Sequence, residues 1–173
     1  MRVVIFSQVP WLKADWKPPF PVEVVVVNEP FPLLRTWEAL RLGACRTEEP
    51  EKFINCIQRL TYCYGYIHKS IEQLRKSGVL KDDDCIVILT VDIPGWNPDS
   101  EEQVIRPVYG YTLPKSKIAL VWIYSLDTVW HEVGHMIGLK HCQNPECLMS
   151  KTGGRLLCAE CRKRAEELLG VSR

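Results

Sequence analysis

The residues of this 173-residue chain whose spacing most clearly predicts chemistry lie in one short stretch, His131–His141, which reads HEVGHMIGLKH. His131 and His135 are four residues apart, and on a helix that spacing places both imidazoles on one face, where they can share a metal ion. Glu132 follows the first histidine and can act as general base toward a water that the metal activates. The stretch therefore predicts a catalytic zinc site.

Gly138 comes three residues after His135 and allows the helix to end in a left-handed turn. Such a turn would bring the chain back and present His141 as a third ligand. Three protein ligands with one open coordination position are typical of a catalytic zinc site rather than a structural one. The chain has only four histidines and three of them lie in this motif, which disfavours the alternative of an amphipathic helix with surface histidines.

A second cluster follows directly. It consists of a CxxxxC pair and a CxxC pair: Cys142, Cys147, Cys158 and Cys161. Four thiolates in two such pairs fit a closed, tetrahedral structural zinc site. Two disulfides or buried free thiols are the alternative, which an intracellular location disfavours. Because adjacent side chains of an extended segment point in opposite directions, His141 and Cys142 could each serve a different metal.

The remaining cysteines and the fourth histidine show no comparable pattern. Cys56 and Cys63 are seven residues apart on a predicted helix and share a face, where free cysteine packs as a small hydrophobic residue. We interpret these two, with Cys45 and Cys85, as core residues rather than ligands. His68 is interpreted as an ordinary surface or boundary histidine.

Composition restricts the class of protein. Hydrophobic residues make up 46% of the chain and charged residues 25%, and the formal net charge is +1. A near-neutral chain gives no electrostatic reason to bind nucleic acid or an acidic membrane. No apolar run is long enough to span a bilayer, and the N-terminal MRVVIFSQVP lacks the apolar core of a secretory signal. We therefore expect a soluble, cytoplasmic, monomeric protein that has no nucleic-acid or membrane partner.

Apolar and β-branched runs predict five strands: Val3–Ser7, Val22–Val27, Cys85–Val91, Val108–Leu113 and Ile118–Tyr124. Helical periodicity and capping residues predict three helices: Pro50–Ser77, Asp127–Leu139 with Asp127 as N-cap, and Ala159–Leu169. This order predicts an α/β or α+β fold with a sheet backed by helices. We expect one domain over residues 1–173, with the sheet and active-site helix in 1–141 and a small four-cysteine lobe in 142–173.

The combination of HEVGHMIGLKHC, CLM and CxxC resembles the archaemetzincins, zinc peptidases of the metzincin clan, most sharply over His131–Cys161. The resemblance implies two zinc ions: a catalytic ion on the three histidines, with Glu132 as general base, and a structural ion on the four cysteines. It implies that Met149 lies in a turn beneath the catalytic site. The implied fold has a twisted, mostly parallel sheet with one antiparallel edge strand, a backing helix, the active-site helix and a small C-terminal zinc lobe.

The resemblance also implies that a peptide or protein substrate binds by adding a strand to the antiparallel edge strand. Val108–Leu113 is the candidate for this strand, with Tyr109, Gly110 and Tyr111 offering backbone and aromatic contacts. An ordinary hairpin strand is the alternative interpretation.

Peptide-bond hydrolysis is the function that these patterns favour. A non-catalytic, zinc-dependent protein-interaction module is the second hypothesis, and the presence of Glu132 disfavours it because a purely structural site needs no base. A zinc-finger-like nucleic-acid binder is the third, with the basic run Arg162–Arg164 beside the CxxC pair as its contact. We interpret that run as a solvated helix face, balanced by neighbouring glutamates.

Overall fold

The computed structural model of the protein describes residues 1–7, 17–27, 31, 64–90, 110–112, 116–122 and 126–171. Its strands are β1 (Arg2–Ser7), β2 (Glu23–Val27), β3 (Cys85–Thr90), β4 (Gly110–Thr112) and β5 (Ile118–Trp122). Its helices are α1 (Tyr64–Lys76), α2 (Leu126–Ile137) and α3 (Ala159–Leu168). Each predicted strand and helix has a counterpart. The expected strand ends at Val91, Val108, Leu113 and Tyr124 lie outside the described residues.

The five strands form one mixed sheet in the order β2-β1-β3-β5-β4. β2, β1, β3 and β5 are parallel neighbours, whereas β4 pairs with β5 in the antiparallel direction, with Gly110 opposite Val121 and Thr112 opposite Ala119. The expected mostly parallel sheet with one antiparallel edge strand is confirmed. Parallel strands are normally covered on both faces, which explains why β1 and β3 are continuous apolar runs.

The hydrophobic core surrounds the central strands and extends to the segment after α2. Ile5 of β1, Val87 of β3 and Val133 of α2 belong to one buried cluster, and Leu148 and Met149 belong to it as well. Burial of side chains of this size stabilises the fold by about 1.5–3 kcal/mol each. The residues that follow His141 are therefore held by the same core as the sheet.

The chain divides into two compact units, one formed by Met1–Glu29 with Asp83–Arg173 and the other by Pro30–Asp82. The sheet, α2 and α3 belong to the first unit. A separate lobe at residues 142–173 stays a prediction. Among the described helices, none has the length and apolar character needed to cross a membrane.

Helix α1 belongs to the second unit and ends as its sequence predicts. Ile67 and Ile71 are buried and His68 is exposed, in line with the apolar period. Gly78 follows the helix with φ 78°, a left-handed conformation that glycine adopts without strain. The expected first part of this helix, residues 50–63, lies outside the described residues together with Cys45, Cys56 and Cys63.

An ion pair joins the starts of two neighbouring strands in the first unit. Asp84, directly before β3, is buried, and Arg2 of β1 binds it with two nitrogens, Nε lying 2.7 Å from Oδ1 and Nη2 contacting Oδ2. This two-point geometry satisfies a carboxylate that would otherwise be costly to bury. The ion pair holds β1 and β3 together at their N-terminal ends.

Candidate catalytic and metal-binding site

Helix α2 carries the first two predicted metal ligands. It begins at Leu126, one residue before the expected N-cap, so Asp127 lies within the first turn, where its carboxylate complements the helix dipole. The helix ends at Ile137 rather than at Leu139, because Gly138 has φ 108° and turns the chain. The N–H of Leu139 then donates to the carbonyl of Gly134 at 2.9 Å. The predicted glycine turn is thus present.

This turn brings the three histidines together. One ring nitrogen from each of His131, His135 and His141 lies within 4.8 Å of the other two. The Nε2 atoms of His131 and His135 are 3.1 Å apart, and the His141 ring centroid lies 5.4 Å from that of His131 and 4.7 Å from that of His135. Three imidazoles that converge in this way could hold one metal ion.

Hydrogen bonds made by the rings of His131 and His135 determine which nitrogen of each ring faces the other histidines. Nδ1 of His131 lies 2.7 Å from the carbonyl oxygen of Leu148, and Nδ1 of His135 lies 2.9 Å from that of Leu139. A carbonyl oxygen only accepts, so each Nδ1 carries the hydrogen and each neutral ring presents an Nε2 lone pair. Two lone pairs this close repel each other unless a cation lies between them. The arrangement therefore fits a zinc ion, with carbonyls orienting the ligands.

The electrostatic surroundings of His141 favour the same state. Partial burial lowers the pKa of His141 below its usual range, and the neighbouring His135 and His131 lower it further. A metal binds only the neutral imidazole. The third ring is therefore prepared to contribute a lone pair at neutral pH.

Glu132 is held between α2 and the edge strand β4. Its side chain is only 6% exposed, and the hydroxyl of Thr112 lies 2.6 Å from its Oε2. A side chain on Gly110 would place a Cβ only 2.8 Å from Cγ and Oε1 of Glu132 and from Cγ2 of Thr128. Because glycine has no side chain, β4 can lie directly against the side chain of Glu132 at Gly110.

Met149 packs beneath the histidine helix. It is fully buried, and a Cβ added at Gly134 would lie 2.3 Å from its Sδ, 2.9 Å from its Cε and 3.4 Å from Cζ of Phe20. Gly134 is the residue directly before His135. The sulfur therefore contacts the helix backbone between the two histidines.

Gly134→Ala is expected to destabilise the protein by up to about 2 kcal/mol, although alanine is the better helix former. The helix propensity gain is at most about 1 kcal/mol, and overpacking against Met149 costs about 1–3 kcal/mol. Denaturant unfolding of the two proteins measures the difference. Met149→Ala removes the obstructing sulfur, so the double variant should lose less stability than the two single variants together. Additive losses would show that the two residues do not interact.

The four predicted cysteine ligands also converge. All four Sγ atoms lie within 4.8 Å of one another, in the set Cys142, Cys147, Cys158 and Cys161. The thiols are free, and the Sγ atoms of Cys142 and Cys158 are 3.8 Å apart, compared with about 2.05 Å in a disulfide. The four thiols thus lie close together and are free in this structure.

Backbone N–H groups point at two of these sulfurs. The N–H of Cys161 donates to the sulfur of Cys158, which is the N-cap of α3, and this bond lowers the pKa of Cys158. The N–H of Cys158 donates in turn to the sulfur of Cys147. Burial and the neighbouring thiols raise the pKa of Cys161 instead. Four thiols this close cannot all ionise beside one another without a cation. The chemistry of the set fits a zinc tetrathiolate site, in which Zn²⁺ would stabilise the deprotonated sulfurs.

A short backbone path connects the two clusters. Leu148, whose carbonyl accepts from His131, directly follows Cys147, and its own N–H donates to the carbonyl of Leu156 at 2.8 Å. The N–H of Cys142 donates to the carbonyl of Met149 at 2.8 Å. The segment that carries the cysteines therefore also orients a histidine.

Two of the three predicted substrate contacts lie in the described part of the chain. Gly110 and Tyr111 belong to β4, whereas Tyr109 lies outside the described residues. Sequence reasoning missed Thr112 and the carbonyl of Leu148. Thr112 lies two residues after Gly110 in a predicted strand, so period-2 alternation could have placed both on one face. No sequence signal marks a carbonyl.

Part of the chain is similar to known peptidases. Residues 119–157 match the model of peptidase family M54. An archaemetzincin of Methanocaldococcus jannaschii is 34% identical over 71 residues, which cover 36% of this chain and 38% of that protein. An archaemetzincin of Pyrobaculum aerophilum is 27% identical over 100 residues, 47% of this chain and 61% of that protein. The matches span less than two thirds of either relative.

A zinc-dependent peptidase from Methanocorpusculum labreanum has a similar structure, with a TM-score of 0.58 over 95% of this chain and 100% of that chain, at 15% sequence identity. This likeness shows a shared fold. The predicted resemblance to the archaemetzincin family is confirmed by the family match and by the two archaemetzincin relatives.

Proposed function

We propose that this chain, which resembles the archaemetzincins, is a zinc-dependent peptidase that hydrolyses peptide bonds in a peptide or protein substrate. The observation that carries the proposal is the convergence of His131, His135 and His141, with the Nε2 atoms of the first two 3.1 Å apart, on a segment in which Glu132 directly follows His131. The three histidines would hold a catalytic zinc ion. The four cysteines would hold a second, structural zinc ion.

A zinc ion on three imidazoles supplies Lewis-acid activation of a water and of the scissile carbonyl. Glu132 acts as general base: it takes the proton of the attacking water as the new C–O bond forms, and it later delivers that proton to the leaving amine as the peptide C–N bond breaks. The burial of Glu132 keeps bulk water away from this proton. Met149, under the helix that carries His131 and His135, would be the methionine of a metzincin turn.

Strand β4 would bind the substrate. It is the last strand of the described sheet and runs antiparallel to β5, so an extended peptide could pair with its outer edge. Gly110 and Tyr111 would contribute backbone groups to that pairing, and Tyr109 would extend it. Because Gly110 lies against Glu132, a peptide on this edge would pass next to the general base.

Metal removal tests the proposed function. The zinc-loaded chain should contain two zinc ions and cleave members of a peptide library, and cleavage should stop when a chelator strips the metal. Added Zn²⁺ should restore cleavage, whereas Mg²⁺ should not, because Mg²⁺ prefers oxygen ligands. Elemental analysis and mass spectrometry of the library measure both quantities. A chain with two zinc ions and no cleavage would contradict hydrolysis and favour the non-catalytic interaction module.

A further inference from the structure

Glu132 is only 6% exposed. In the proposed mechanism its carboxylate must nevertheless exchange a proton with the attacking water. A buried carboxylate needs hydrogen-bond donors. The hydroxyl of Thr112 lies 2.6 Å from Oε2 of Glu132 and 3.2 Å from the backbone oxygen of the same residue. One hydroxyl hydrogen serves one acceptor at a time, and the shorter distance favours the carboxylate oxygen.

Strand pairing positions the backbone of Thr112. Thr112 pairs with Ala119 of the buried strand β5, and Gly110 pairs with Val121. Residues two apart in a strand lie on the same face. On that face the Gly110 backbone lies directly against the side chain of Glu132, where a Cβ would come within 2.8 Å of Oε1. The strand therefore contacts both carboxylate oxygens, one by a hydrogen bond and the other by close packing.

We infer that Thr112 is a positioning residue for the general base: its hydroxyl holds Oε2 of Glu132, so that Oε1 is the oxygen that exchanges the proton. This inference rests on the proposed peptidase function. It gives β4 a second role besides substrate pairing. A rotated carboxylate would lose the bond to Thr112 and would change the direction in which Oε1 faces. Misplacement of a reacting group by about 1 Å can lower a rate by about 100-fold.

The test compares Thr112→Val, which keeps the shape and removes the hydroxyl, with Thr112→Ser, which keeps the hydroxyl. Both are assayed in the zinc-loaded full chain with a peptide that the wild type cleaves. Thr112→Val should lower kcat by about 10- to 100-fold with little change in KM or in zinc content. Thr112→Ser should restore most of the rate. Thr152→Val removes the hydroxyl of an exposed threonine that bonds Ser150 and lies outside this strand–helix contact; it is the matched control and should stay close to wild type.

A wild-type kcat in Thr112→Val would overturn the inference, and so would a Thr112→Ser variant as slow as Thr112→Val, since packing rather than the hydroxyl would then matter. If Thr112→Val does not fold, Thr112→Ala is scored in the same way. If the wild type cleaves nothing, the proposed function fails, and crystal structures of the zinc-loaded wild type and valine variant decide the inference separately. An unmoved Glu132 carboxylate in the valine variant would overturn it, and a rotated one would support it.

Discussion

Glu132→Gln is expected to lower kcat for peptide hydrolysis by about 10²–10⁴-fold or more while both zinc sites stay filled, because general-base catalysis contributes about that factor. The amide has nearly the same shape as the carboxylate and its oxygen can still accept the hydrogen bond from Thr112, 2.6 Å from Oε2 in the wild type. The amide cannot take a proton from water. Steady-state kinetics with a cleavable peptide, together with elemental analysis, measure the two effects.

Glu132→Ala should lose activity to at least the same extent and should also retain the metal, since no ligand is removed. Glu146→Gln is the matched control, because Glu146 is an exposed glutamate outside both clusters. That control should keep wild-type kcat. Turnover near the wild-type rate in Glu132→Gln, with zinc bound, would mean that another group accepts the proton and that the proposed mechanism is wrong.

The convergence of the histidines could be predicted from sequence because it depends on local geometry. The spacing of His131 and His135 follows the helical period, and Gly138 takes the positive φ that the return of His141 requires. The convergence of the four cysteines was less strongly determined by local sequence. Each pair has its own spacing, but the two pairs meet only because the segment between them folds back, with the N–H of Leu148 bound to the carbonyl of Leu156.

The contacts that orient the site could not be predicted because they are tertiary. Thr112 and Glu132 are 20 residues apart in sequence, and His131 and the Leu148 carbonyl are 17 apart. The hydrophobic period of a strand or helix does not predict contacts between residues so far apart in sequence. Sheet order is a similar case: apolar runs indicated buried strands, but the pairing of β4 with β5 was expected from the family resemblance and not from the runs themselves.

The two metal clusters are close enough in the chain for loss of one to affect the other. The carbonyl of Leu148, next to Cys147, orients His131, and the carbonyl of Met149 accepts from the N–H of Cys142. Both carbonyls lie in the segment that the cysteine site would fix. If the proposed structural zinc ion is absent, this segment keeps its packing in the core but loses the constraint from the cysteines. The Leu148 carbonyl would then hold His131 less firmly in the orientation that directs its Nε2 toward the proposed catalytic zinc.

Cys158→Ser is therefore expected to empty the cysteine site and to weaken zinc binding at the histidine site by about 10- to 100-fold, the usual cost of losing a group that orients a ligand. Serine is a good N-cap, so the start of α3 should keep its capping bond in this variant. Titration with Co²⁺ follows the sites separately, because thiolate ligands give charge-transfer bands that imidazoles do not. Zinc competition then gives the affinity of each site.

Cys85→Ala is the matched control for this coupling. Cys85 is a buried free thiol at the start of β3 and belongs to neither metal cluster. Its loss should cost some core stability and leave zinc affinity at the histidines unchanged. If Cys158→Ser also leaves that affinity unchanged, the carbonyl path through Leu148 does not couple the sites. If only Cys158→Ser weakens it, the cysteine cluster supports catalysis by holding the carbonyl that orients His131.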